Sequence, residues 1–372
     1  MNCQIESKAI QEIESTNVLQ QSRYWASFKQ SKGLYPKAFN LNASRDFILP
    51  HTSDNAFIHD DMLVLVQNVN DYYSYAYLPY GPEIQPNSDN YGSFVESLSE
   101  SLIPHLPEHC IFIRYDLPWE NQWVADDAYF HPEGYLLQNP SVNAQEFRMN
   151  FDTYQHSICK SPTDNLPAST WFLNLKQSDD ALLANMKAKT RYNIRLSQRK
   201  GVRVKQYGME KIHVWYKLYA ETARRNGIVA PNMADFELAL CLRQSKEIDS
   251  KVNLLIAECN DEPLAAMFLV VSKKRGTYLY GASSSQNRNL MAPYVLQWEA
   301  IKLLKAQGCT EYDMFGSAPG PNPEHPMYGL YRFKGGFGGD LFHRMGCWDF
   351  PILHEKYSQF VAKEISAQAF HV

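Results

Sequence analysis

The sequence predicts an α/β (α+β) protein made of two similar units, each a mixed sheet flanked by helices. Three observations carry that expectation. At 372 residues the chain exceeds what one ordinary core holds and fits two of roughly 150 to 200 residues. Short apolar, strand-like runs alternate with helical patterns. The order of these elements in the first half is then replayed in the second, at a period too long for a solenoid.

Taken in order, the first half opens with a helix-like segment, Ile10 to Gln30, and passes through strand-like runs at Met62–Val69 and Tyr73–Leu78. The turn Pro79-Tyr80-Gly81-Pro82 follows, then a helical pattern at Tyr91–Leu106 and an apolar strand from Cys110 that ends on Asp116. The second half offers strands at Val252–Glu258, Ala265–Ser272 and Thr277–Ala282, a helix at Pro293–Gln307 closed by Gly308, and a strand at Glu311–Phe315. Between the halves, Ser161 to Pro167 mixes proline with polar residues and loses all periodicity, which sets a seam between domains at 1–166 and 167–346.

Composition narrows the function. Net charge is -4, so any polyanion must be met by a local patch and not by the overall field. The seven cysteines are scattered, odd in number and form no C-x-x-C pair, as expected of reduced thiols and not of a disulfide framework or a structural zinc site. The N-terminus is polar and acidic with no apolar h-region, and no apolar run reaches the length of a bilayer span, so a cytoplasmic protein without a cleavable signal is expected. The 23 tyrosines and 19 phenylalanines are spread along the chain and read as core and groove lining, with stacking on bases as the lesser alternative.

One segment breaks the acidic average. From Lys187 to Lys205 stand eight basic residues (Lys187, Lys189, Arg191, Arg195, Arg199, Lys200, Arg203, Lys205) and no acidic one. Ser178-Asp179-Asp180 supplies an N-cap and first-turn acids, and Gly201 suits a C-terminal cap, so one helix is predicted over Asp180–Lys200. Residues 187, 191, 195 and 199 then form a cationic stripe suited to the phosphates of an RNA backbone. Like charges four apart repel by a few tenths of a kcal/mol, so an anionic visitor or a plain solvated face are the alternatives.

The string Met186-Lys187-Ala188-Lys189-Thr190-Arg191-Tyr192-Asn193-Ile194-Arg195-Leu196-Ser197-Gln198-Arg199-Lys200-Gly201-Val202 resembles the signature of the Fem (FemABX) aminoacyl transferases. Further segments agree in the same order: Gln21–Lys29, Tyr77–Pro82, Arg114-Tyr115-Asp116, Tyr280–Ser283 and Gly329–Gly338. The resemblance covers nearly the whole chain and is closest in form to FemX-like members. It implies two acetyltransferase-like (GNAT) domains joined by a cleft, the first completed by residues 347–372, and no coiled-coil arm, since Gly208–Glu247 has no sustained heptad. The implied reaction moves an amino acid from aminoacyl-tRNA to the stem-peptide amine of a peptidoglycan precursor, lipid II or UDP-MurNAc-pentapeptide, with no metal or organic cofactor. A peripheral contact with the inner membrane face goes with such a precursor.

The resemblance also assigns residues. Lys29 would pair with the precursor's diphosphate, with Trp25 and Tyr80 beside it in precursor binding. Asp116 would orient the attacking amine or accept its proton, with a buried ion pair or a cap as the alternative. Phe333 would wall the pocket, Lys334 would stabilise the oxyanion or the tRNA terminus, and Tyr280 would donate a hydrogen bond or simply pack. Lys187, Lys189, Arg191, Arg195, Arg199 and Lys200 would hold the tRNA. Pro231 stands where soluble-precursor binders carry an arginine, and Asp235 where a tyrosine is usual, with Arg224 or Arg225 as compensating cations. Two rivals remain: an acyl-CoA-dependent N-acyltransferase, disfavoured because Ser284–Ala292 has no glycine with which to approach a pyrophosphate, and a non-catalytic RNA- or precursor-binding protein.

Overall fold

The computed structural model describes residues 3–48, 56–242 and 249–369. The chain divides into two compact units: Met1–Glu14, Gln20–Ala168 and His343–Val372 form the first, and Ser15–Leu19 with Ser169–Phe342 the second.

The first unit begins with β1 (Cys3–Lys8), α1 (Arg23–Gln30), β2 (Tyr35–Ser44), β3 (Phe57–Asn68) and β4 (Ser74–Leu78). It continues with α2 (Tyr91–Leu102), β5 (Cys110–Glu120), α3 (Val142–Met149) and β6 (Cys159–Lys160). The second unit runs through β7 (Ser169–Asn174), α4 (Asp179–Asn185), α5 (Ala188–Arg199), β8 (Arg203–Tyr207), α6 (Ile212–Arg225) and α7 (Met233–Cys241). Then come β9 (Ser250–Cys259), β10 (Glu262–Ser272), β11 (Arg275–Ser283), α8 (Ala292–Ala306), β12 (Glu311–Gly316) and α9 (Tyr328–Lys334). The chain returns to the first unit along β13 (Asp340–Pro351) and closes on α10 (His354–Ala369).

The two sheets share one plan. In the first, β1, β2, β3 and β4 pair antiparallel in sequence, β4 and β5 are parallel, and β5 pairs antiparallel with β13. In the second, β8 to β11 are antiparallel neighbours, β11 and β12 are parallel, and β12 pairs antiparallel with β7. Each parallel pair is bridged by one helix, α2 or α8, as a parallel crossover requires. The echo extends to side chains. The strand after each crossover carries Tyr-Asp, and each tyrosine hydroxyl reaches back to the bridging helix: Tyr115 to Ser99 at 2.7 Å, Tyr312 to Gln297 at 2.6 Å.

Each unit has its own core. Phe39, Met62, Val64, Phe94, Leu98, Ile113 and Trp119 are fully or almost fully buried in the first, and Leu254, Met267, Leu269, Ile301, Leu304 and Met314 in the second. Each such side chain stabilises the fold by about 1.5–3 kcal/mol. In the first unit the buried Arg114 of β5 binds Asp349 of β13 through Nε and Nη2, both at 2.8 Å, and Glu364 of α10 at 2.8 and 2.9 Å. That network fastens the end of the chain to the sheet.

Several expectations are corrected. The segment Ile10–Gln30 is α-helical only from Arg23, where Ser22 caps the backbone N–H of Trp25, and before it makes only short 3-10 turns at Ile10–Glu12 and Leu19–Gln21. Asp180–Lys200 is two helices, not one: Met186 is extended at ψ 150 and sends its side chain into the core. β5 does not end on Asp116 but continues to Glu120, with Asp116 wholly buried. The glycine-rich segment around Lys334, strand-like by sequence, is instead helical from Tyr328, its glycines lying at the helix ends. The absence of a coiled-coil arm holds for the described residues after Gly208, where α6 and α7 are short helices; 243–247 lie outside the described residues.

Candidate functional site

In the second unit, the pairing of β12 with β7 slips between Asp313 and Gly316, a bulge of the kind that re-aims backbone groups beside functional sites. Phe315 sits in the left-handed region at φ 59, a conformation costly for a side chain of that size. Asp313 holds the bulge in place, accepting hydrogen bonds from the Thr170 hydroxyl at 2.5 Å and the Phe315 backbone N–H at 2.8 Å. The consequence is that two successive carbonyls converge on one point. Lys334 Nζ occupies it, donating to Phe315 O at 2.9 Å and Gly316 O at 2.6 Å.

Lys334 is only 4% exposed. Burial disfavours its charged form and brings its pKa down to about 7, against the smaller opposing pull of the Asp313 carboxylate. A lysine so placed can hold or yield a proton near neutrality. Its neighbour Phe333 packs edge-on against Tyr294 and Phe337, and lines a cavity of about 410 Å³ with Ser284, Arg288, Met291 and Tyr294.

The basic helix begins at this same place. The Lys187 backbone N–H donates to Gly336 O at 2.9 Å. Gly335 and Gly336 permit the approach: a Cβ on Gly335 would meet Trp171 at 2.7 Å, and one on Gly336 would meet the Thr190 hydroxyl at 2.5 Å. From there α5 presents Arg195 and Arg199 to solvent with no carboxylate partner among the described residues. Lys187, Lys189 and Lys200 are also exposed. Arg191 departs from the expected stripe: its guanidinium donates to the carbonyls of Leu183, Ala184 and Met186 at the C-terminal end of α4. A groove of about 960 Å³ runs along this face, lined by Arg191, Tyr192, Arg195, Gln198, Arg199 and Arg203. Sequence reasoning passed over Tyr192, although position 192 lies on the same helical face as 188, 195 and 199. Asp313 was legible too, as the second member of the Tyr-Asp echo.

Tyr280, on β11, packs edge-on against Phe236 and Tyr219, and burial raises its pKa to about 12, so it keeps its proton. Arg225 is spent on the end of β11, donating to Ser283 O and to the hydroxyls of Ser283 and Ser285. Arg224 is exposed.

In the first unit, Lys29 lies 4.8 Å from the centre of the Trp25 ring, and Trp25 is itself 4% exposed. Tyr80 is buried, donating its hydroxyl to Pro167 O at 2.7 Å beneath the Arg344 guanidinium. Asp116 accepts from the Tyr77 hydroxyl at 3.0 Å and the Leu166 N–H at 2.9 Å through one oxygen, while the other has no hydrogen-bond partner among the described residues. Burial first, then the nearby Asp164 charge, raises its pKa to about 7. With no exposed surface, Asp116 offers a reactant nothing to touch. Among the described residues no group of His, Cys, Asp and Glu is placed to hold a metal ion, and no helix is long and apolar enough to cross a membrane.

Comparison with known proteins agrees with this architecture. A crystal structure of FemX superposes with a TM-score of 0.72 at 17% identity, over 96% of this chain and 100% of that one, and so shares the fold. The lipid II:glycine glycyltransferase of Staphylococcus epidermidis is 23% identical over 249 residues, 51% of this chain and 60% of that protein. Its counterpart in Staphylococcus aureus is 22% identical over 258 residues, 52% and 61% of the two chains. The alignments thus span about 60% of the length of these curated relatives. The FemAB family model matches residues 9–240 and 241–363, and with that match the chain belongs to the FemAB family.

Proposed function

We propose that this chain is an aminoacyl transferase of peptidoglycan assembly, moving an amino acid from an aminoacyl-tRNA to the stem-peptide amine of lipid II or UDP-MurNAc-pentapeptide. The observation that carries the reading is contact within one unit. A cationic face with no carboxylate partner among the described residues, suited to a polyanion, starts on the segment that buries a near-neutral lysine. A donor RNA lying on α5 by its phosphates would bring its charged end toward Lys334. The names of the staphylococcal relatives support lipid II as the acceptor class.

In the proposed step the amine nitrogen attacks the ester carbonyl carbon. The C–N bond forms, the carbonyl oxygen carries the transient negative charge, and the C–O bond to the ribose breaks. One proton leaves the amine and one ends on the departing ribose oxygen. Lys334, poised near neutrality, stabilises the oxyanion as an ammonium or takes the amine's proton as a free amine. Phe333 walls the pocket for the aminoacyl end, and Tyr280, protonated at all working pH, serves as a hydrogen-bond donor. Lys29, with Trp25, is the candidate cation for the precursor's diphosphate. No residue needs to become acylated, because the tRNA ester is already activated. The protein works in the cytoplasm, in peripheral contact with the inner membrane face where the acceptor is lipid-linked.

The test is transfer of radiolabel from a mixed pool of charged tRNAs to lipid II and to UDP-MurNAc-pentapeptide, with and without ribonuclease. Ribonuclease-sensitive label in either precursor is the expected result. No transfer from any charged tRNA would shift the assignment to acyl-CoA chemistry.

A further inference from the structure

The groove on α5 contains more than charge. Tyr192 stands in it 57% exposed, with no ring, cation or hydrogen-bond partner among the described residues. Arg195 and Arg199 follow at one and two helical turns on the same face, and Arg203 enters from the start of β8, its guanidinium held by the carbonyls of Gln198 and Val202. Nothing in the fold uses this arrangement. Arginines four apart repel, and an exposed aromatic ring surrounded by them contributes nothing to the core.

The ligand that suits it has flat apolar faces alternating with phosphates. A duplex offers only phosphates, since its base faces are stacked on one another. An unpaired strand offers both, and each base stacked on an aromatic ring adds substantially to affinity without regard to sequence. The groove also has a direction: α5 begins against Gly336, two residues from Lys334, where the charged end of a donor would react.

We propose that the α5 groove is a single-stranded RNA track, in which Tyr192 stacks on an unpaired base near the donor's 3′ end while Arg195, Arg199 and Arg203 take the adjoining phosphates. This rests on the reading of the donor as a tRNA and adds that the protein selects an unpaired 3′ extension over a blunt duplex. The track thereby separates recognition of the RNA end from attraction to RNA in general.

The experiment is fluorescence anisotropy with the full chain and two stem-loop RNAs, one carrying an unpaired 3′ extension and one cut back to a blunt end. The parent protein is expected to bind the extended RNA about tenfold more tightly, the scale of one stacked base. Tyr192→Ala erases that preference and leaves blunt-end affinity unchanged, Tyr192→Phe keeps it, and Arg195→Gln weakens both RNAs and lowers the salt slope by about one. Equal affinity of the parent for the two RNAs, or a preference that survives Tyr192→Ala, overturns the track while leaving the tRNA donor in place. Binding to neither RNA removes both readings together. Vesicles containing phosphatidylglycerol serve as the other arm: Tyr192-dependent binding to them, without discrimination between the RNAs, assigns the face to lipid and overturns the proposal.

Discussion

The two units follow the same strand order and place a Tyr-Asp pair on the same strand, yet what surrounds the aspartate differs. In the first unit Asp116 is enclosed with no cation paired to it among the described residues, and its pKa rises to about 7. In the second, Asp313 accepts from the Thr170 hydroxyl and the Phe315 N–H through one oxygen, and a buried lysine stands beside it with its pKa lowered to about 7. One plan has thus been fitted with a buried acid alone in one copy and with a buried acid beside a buried base in the other. The comparison teaches that a repeated fold predicts where chemistry sits but not its sign.

The largest expected effect separates the two positions by activity. Lys334→Met keeps the side-chain volume and removes the amine, so transfer should fall by about a hundredfold or more, the scale of losing one oxyanion donor. Stability should fall as well, by ~1–3 kcal/mol, because the carbonyls of Phe315 and Gly316 lose their partner. Asp116→Asn, at a position with no exposed surface, should leave transfer within a few-fold of the parent. An Asn variant as inactive as the Met variant would break the comparison, and steady-state transfer kinetics beside urea unfolding would show it.

Arg114→Ala comes next, and it sharpens the contrast in stability. Removing this guanidinium leaves Asp349 buried without its cation and frees Glu364, at a cost of ~3–5 kcal/mol confined to the first unit. Limited proteolysis should then cut the first unit before the second. Simultaneous loss of both would show that they unfold as one.

How far the sequence could be read follows the same division. The crossover strands and helices were legible because their apolar periodicity is strong: Cys110–Tyr115 and Ala265–Ser272 lie within the observed strands, and Pro293–Gln307 overruns the observed helix by one residue. The basic cluster and Lys334 were legible as residue types. Their surroundings were not. Nothing local says that Met186 turns extended, since its reason is tertiary, a buried side chain and a hydrogen bond from Lys187 to distant Gly336. Nor does spacing reveal that Tyr80 spends its hydroxyl on Pro167, or that Asp116 sits inside its strand, because both depend on contacts between segments far apart in the chain.

A smaller effect lies in pH dependence, where the two buried groups should act in opposite directions. Between pH about 4 and about 7 the folded protein keeps a proton on Asp116 that the unfolded chain has released, so this group's contribution to stability falls as pH rises. Between about 7 and 10.5 the unfolded chain keeps a proton on Lys334 that the folded protein has lost, so stability rises with pH there. Relative to the parent, Asp116→Asn should remove the downward contribution on the acidic arm of a plot of melting temperature against pH, and Lys334→Met the upward contribution on the alkaline arm. Each variant altering the other's arm would show that the two environments are misassigned.

The smallest expected effect compares two arginines of one helix. Arg191 and Arg195 are one turn apart, but Arg191 is occupied with the last carbonyls of α4 whereas Arg195 faces solvent. Arg191→Gln should therefore cost ~0.5–1.5 kcal/mol of stability, through lost capping of α4, with little change in the salt dependence of RNA binding. Arg195→Gln should do the reverse, leaving the unfolding midpoint in place and reducing the slope of log affinity against log salt by about one. If both variants lower the slope equally, the Arg191 guanidinium leaves its carbonyls when RNA binds, and the cationic stripe expected from residue spacing exists only in the complex.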